Sequence, residues 1–90
     1  MGLRSGRESV VQYGVKLRRN VFDKAAGSAG LRSDYALAKA MKVNRSTVTR
    51  VRRGELRPGS AFIGGALKAL APWVFEELFE VVGVVGDETR

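Results

Sequence analysis

Apolar residues recur at helical spacing along most of the chain. Between Val10 and about Ala26 the positions Val10, Gly14, Leu17 and Val21 fall three or four residues apart, with Tyr13 and Phe22 beside the stripe and Lys16, Arg18, Arg19 and Lys24 off it. This predicts a first helix, which Gly27-Ser28-Ala29-Gly30 ends with two residues suited to positive φ. Ser33 or Asp34 can cap a second helix with Leu37, Ala38 and Met41 on its buried side. Lys42-Val43 makes a turn, and Asn44 or Ser46 can cap a third helix. There Val48 and Val51 share one face, Arg45, Thr49, Arg50 and Arg53 point elsewhere, and Gly54 is a natural stop.

The segment Glu55 to Gly59 is rich in breakers, and Ser60 is placed to cap a fourth helix from Ala61 to Leu70. Gly64-Gly65 inside it should cost about 1 kcal/mol each relative to alanine, which points to close backbone packing. Pro72 suits the opening of a fifth helix, with Glu76 and Glu77 near its positive end. Residues 81–85, Val-Val-Gly-Val-Val, either continue that helix or form a short strand pairing with a second copy. The fold class expected is therefore all-α, a five-helix cluster with short connections. It divides into a basic arm (1–9), a helix–turn–helix domain (10–71) and a C-terminal helix and tail (72–90).

Charge changes this picture more than composition does. The 90 residues carry 16 Lys plus Arg against 9 Asp plus Glu, a net of +7. Residues 1–68 hold 15 basic and 4 acidic side chains, whereas residues 69–90 hold 1 basic and 5 acidic. A basic body implies a polyanionic partner, nucleic acid before an anionic membrane surface, and the acidic tail implies a different task. The chain has no Cys and no His, which removes disulfides, thiolate chemistry, the usual zinc sites and histidine general-base catalysis. No carboxylate pair, phosphate-cradling glycine loop or nucleophile–base pair suggests an enzyme, and no cofactor or metal is expected. No apolar run approaches the roughly 20 residues of a membrane span. MGLRSGRES has no apolar stretch behind it long enough for a secretory signal, so the expected compartment is the cytoplasm, with the nucleoid as its site of action.

The residues that carry chemistry lie between Ser33 and Gly54. Burying Leu37 and Met41 against Val48 and Val51 fixes the angle between the second and third helices, and Ala38 lets them cross closely. The polar face of the third helix is then displayed in one orientation. Arg45, Ser46, Thr49 and Arg50 lie near its N-terminal half, where side chains reach base edges in a major groove. Arginine donates two hydrogen bonds to guanine O6 and N7, worth about 1–3 kcal/mol of discrimination.

At these residues, LAKAMKVNRSTVTRVRRGELRP resembles the helix–turn–helix of phage repressor and Cro-like proteins, the xenobiotic-response-element family. The match runs without gaps from Asp34 to Gly54 and more loosely through Leu70. The resemblance implies a five-helix domain that reads a palindromic operator in double-stranded DNA as a homodimer. It implies base reading by Arg45, Ser46, Thr49 and Arg50, with residues 44–53 as recognition helix. Ser33, Asn44, Arg52, Arg53 and Arg57 are candidates for holding phosphates, and Asp34 for supporting the recognition helix rather than touching DNA. Two positions depart from the family pattern. Lys42 stands where a turn glycine is usual, and Arg52 stands where many members have glutamate, adding positive charge beside the expected DNA face.

The expected function is a sequence-specific DNA-binding transcriptional regulator, a repressor of phage, plasmid or bacterial origin. Arg4 and Arg7 are candidates for the minor groove, while Lys16, Arg18 and Arg19 read as a solvated helix face. Seven apolar residues crowd the last predicted helix, more than one buried stripe requires, which makes Trp73, Phe75, Phe79 and Val82 candidates for a homodimer contact. The alternative is a protein-interaction module, such as a DNA-binding antitoxin or accessory factor, that engages a protein partner through residues 72–90.

Overall fold

In a computed structural model, which describes residues 10–86, the element order is β1 (Val10–Leu17), α1 (Arg19–Ser28), α2 (Asp34–Met41), α3 (Arg45–Arg52), α4 (Ser60–Ala69), α5 (Phe75–Leu78) and β2 (Phe79–Gly86). The arm at 1–9, with Arg4 and Arg7, lies outside the described residues.

This corrects the all-α expectation. Among the described residues five helices are joined by a two-stranded antiparallel sheet whose ladder runs from Val10↔Gly86 to Leu17↔Phe79. The first predicted helix splits at Arg18, and the fifth shrinks to one turn. The physical reason lies in the residues of β1. Val10, Val11, Tyr13 and Val15 favour extended backbone, and Gly14 weakens any helix through it. The helical stripe counted Gly14 as apolar; the period-two set Val11, Tyr13, Val15, Leu17 describes the segment better. The valines of β2 pair with β1 of the same chain, so neither alternative for residues 81–85 holds as stated.

The core gathers around Phe22, Phe62 and Phe79, all fully enclosed, with Leu37, Val48, Leu70 and Leu78 around them. Phe62 stacks on Phe22 with ring centres 5.7 Å apart and meets Phe79 edge-on at 6.3 Å. Burying each of these rings stabilises the fold by about 1.5–3 kcal/mol. Leu17 and Phe79 are the innermost pair of the ladder and belong to this core. Outward from them the ribbon continues as strands of about 26 Å, in a molecule 52 Å long and 24 × 18 Å across.

Arg18 ties the foot of the ribbon together. Its backbone N–H donates to the Leu78 carbonyl at 2.8 Å, its Nε to the carbonyls of Glu76 and Phe79, each at 3.2 Å, and its guanidinium lies 3.4 Å from Glu80. It is thus a structural clasp rather than part of a solvated helix face.

The helix–turn–helix forms as the apolar spacing indicates. Ser33 caps α2, its Oγ accepting the Ala36 N–H at 3.0 Å. Lys42 adopts left-handed φ 61° and ψ 44°, and the N–H of Val43 returns to the Ala38 carbonyl at 3.1 Å. An L-residue there costs about 1–2 kcal/mol, which the interhelical packing offsets. α2 also packs against α4, and the close approach falls at Gly65 alone. A Cβ on Gly65 would run into the backbone carbonyl of Met41, whereas Gly64 faces open space.

Candidate nucleic-acid interface

Val48 and Val51 turn one side of α3 into the core, and this decides what the other side presents. Arg45, Ser46, Arg50 and Arg53 are all exposed. Asn44 precedes the first turn in extended conformation and makes no side-chain capping bond, and no acidic residue occupies that turn. The N-terminal end of α3 therefore keeps its partial positive charge unanswered by the chain.

The sequence candidates separate into two groups. Arg45, Ser46 and Arg50 point outward, and neither arginine has a carboxylate within ion-pair distance among the described residues. Thr49 and Arg52 turn toward α2. The Thr49 hydroxyl donates to Asp34 Oδ2 at 2.6 Å, which leaves its methyl and lone pairs for any other contact. Arg52 Nη1 donates to Asp34 Oδ1 at 2.6 Å, and Nη2 to Asp23 Oδ1 at 2.8 Å. Its Nε is buried with no acceptor among the described residues. The expectation that Arg52 adds charge to the exposed face is therefore revised, because two carboxylates neutralise it inside the protein.

Asp34 is the hub of this network. Burial opposes its ionisation, but hydrogen bonds from Thr49 and Arg52 and the charges of Arg52 and Arg53 outweigh that and hold its carboxyl below the ordinary range. Asp34 holds the position that the repressor-like resemblance marks as a support for α3; Asp23, the second partner of Arg52, was not anticipated.

The remaining phosphate candidates are Ser33, Arg53 and Arg57. Ser33 lies at the start of α2 with its Oγ already accepting from Ala36, which leaves its hydroxyl proton free to donate. Arg53 is loosely paired with Glu55 at 4.0 Å, both side chains being more than half exposed. Arg57 reaches back across β1 at Gly14, where its Nη1 lies 3.6 Å from where a Cβ would stand. Asp23, Asp34 and Glu55 are the carboxylates of the described body up to Lys68, and all are paired with Arg19, Arg52 or Arg53. Apart from Arg18, which meets Glu80, the other cations of that region face solvent without such a partner among the described residues.

The aromatic dimer candidates behave differently from expectation. Phe79 is fully buried, Phe75 stacks on it at 5.2 Å, and Trp73 packs against the core, so these three residues hold the chain's own fold together. Only Val82 lies on the projecting ribbon. The exposed apolar residues there are Val11, Tyr13 and Val81, at 54%, 77% and 61%. Ladder partners share a face, so all three lie on the same side of the ribbon. Val11 and Tyr13 were hidden from sequence reasoning by the helical assignment; their alternation was the available signal.

Among the described residues no acidic cluster could hold a metal ion, and no helix is long and apolar enough to cross a membrane. No family model matches the chain, and comparison with curated proteins and with solved structures gives no match either.

Proposed function

We propose that this chain is a sequence-specific double-stranded DNA-binding transcriptional regulator whose α3 enters the major groove. The observation that carries the reading is the division of charge on α3. Its inward arginine, Arg52, is matched by Asp23 and Asp34, while outward Arg45 and Arg50 stand unpaired beside Ser46 on a helix braced by α2. Arg45 and Arg50 read base edges with Ser46, and the Thr49 methyl adds an apolar contact. Asn44, Arg53 and Arg57 hold phosphates.

The same proposal makes the protein a homodimer through its ribbon. A two-stranded ribbon is marginal alone, and β2 from Val81 to Gly86 contains neither charge nor proline, the usual means of blunting an edge. Edge pairing with a second copy gives four strands with an apolar face on which Val11, Tyr13 and Val81 lie together.

The test is selection of bound duplexes from a random library with wild type and Arg50→Ala in parallel. A palindromic consensus that loses one position of each half-site in the variant supports the reading. Tight binding with no consensus overturns it in favour of a non-specific DNA-packaging protein, and absence of binding overturns it altogether.

A further inference from the structure

The structure opens a groove of about 510 Å³ at the foot of the ribbon, which the recognition helix does not account for. Four separate elements wall it: the inner end of β1 (Val15 to Leu17), the first residue of α1 (Arg19), the C-terminal end of α3, and the loop from Gly54 to Pro58. We propose that this groove seats a second stretch of DNA sugar–phosphate backbone, flanking the stretch that α3 engages, and that Lys16 and Arg19 are phosphate-binding residues. The inference rests on the DNA-binding reading and extends the interface onto the N-terminal strand.

Charge is the first argument. Lys16, Arg19, Arg52, Arg53 and Arg57 line the groove against a single carboxylate, Glu55. Arg52 is engaged by Asp23 and Asp34, but the other four are available to an anion. Lys16 and Arg57 have no carboxylate within ion-pair distance among the described residues, because Glu80, opposite Lys16 in the ladder, lies instead against Arg18. The Arg19–Asp23 separation is 3.6 Å and the Arg53–Glu55 separation 4.0 Å, and both arginine side chains are more than half exposed, so these weak pairs yield readily to a phosphate.

Shape is the second. At about 510 Å³ and open to solvent, the groove is far larger than one inorganic anion fills. Leu56 adds exposed apolar surface among these cations, and Val15, Leu17 and Val51 border the groove. That combination suits a chain of deoxyriboses carrying regularly spaced phosphates, whose carbon surface meets the apolar surface while its charges meet the cations.

Continuity is the third. Arg53 belongs to both surfaces: it follows Arg50 by three residues along α3, and it lines the groove. Arg57 then extends the cationic strip toward Lys16 across the strand at Gly14. Backbone that leaves the major groove beside the end of α3 meets this strip next.

The experiment measures affinity against salt for wild type and the double variant Lys16→Gln, Arg19→Gln, on the selected duplex with long flanks and on the same duplex trimmed to its consensus. Both residues are exposed, and thermal melts establish that the variant is folded. On the long duplex the double variant should lower the slope of log affinity against log salt by about 1.8, some 0.9 per lost contact. Raising salt from 50 to 200 mM would then weaken it about 12-fold less than wild type. On the trimmed duplex the two proteins should behave alike. An unchanged slope on the long duplex, with wild type still binding its consensus, overturns the groove while leaving the α3 reading intact. Failure of wild type to bind any duplex overturns both.

Discussion

Asp34, the first residue of α2, and Arg52, the last residue of α3, meet side chain to side chain at 2.6 Å, closing the helix–turn–helix at the end away from its turn. The turn at Lys42 fixes one end of the helix pair, and this bond fixes the other. Asp23 takes the second nitrogen of Arg52, so α1 is tied to the same point. Arg52→Ala removes both bonds and leaves two partly enclosed carboxylates facing each other. The expected loss is about 1–3 kcal/mol, between that of exposed and fully buried pairs, read as a lower urea midpoint at unchanged slope. A midpoint equal to wild type would show that the triad does not hold the helices.

Acid should dissolve the same contact. The Asp34 carboxyl ionises below its ordinary value of 3.8 in the folded protein, so its contribution is complete above that pH and disappears as pH falls through the lower native value. The stability advantage of wild type over Asp34→Asn should therefore be level from about pH 8 to pH 5 and shrink on acidification below about pH 4. Denaturant melts across that range measure it. An advantage that persists at the lowest pH would assign it to shape rather than to charge.

Two adjacent glycines should respond in opposite directions. Gly64→Ala faces open space and gains helix propensity, for a stabilisation of about 0.5–1 kcal/mol. Gly65→Ala gains the same propensity but drives a methyl into the Met41 carbonyl, forcing α2 and α4 apart at a net cost of about 1–3 kcal/mol. Paired thermal melts distinguish the sites, and equal shifts would contradict the close crossing.

The ribbon's exposed valine gives a separate test of assembly. Wild type should sediment as a dimer, and Val81→Lys, which sets a charge on the ribbon's apolar face, as a monomer with little change in secondary structure. Because Val81 lies outside the core, the variant should still fold. A wild-type monomer, or a variant that stays dimeric, would remove the ribbon from the interface.

Much of the helix–turn–helix was readable from local pattern because it is built from local rules. Ser33 before α2, the apolar set Leu37, Met41, Val48 and Val51, and Gly54 after α3 follow from helical periodicity and capping. Gly65 was legible as a cost that needed a reason, and Met41 supplies it. Arg52 was not, since nothing near it in sequence reveals that Asp23, 29 residues earlier, closes over its guanidinium.

The termini show the limit most clearly. Val10 to Leu17 carries both a weak helical stripe and a clean alternation, and Val81 to Val85 accommodates helix or strand. Single-chain pattern cannot choose, because the strand state exists only when the two segments, some 70 residues apart, find each other. Sequence by itself determined the helix pair, its outward cations and the excess of positive charge, all properties of residues within a few turns of one another. Tertiary structure decided which arginine turns inward, where the aromatics of the last segment pack, and that the chain's two ends form a ribbon, because each depends on burial and pairing between distant residues.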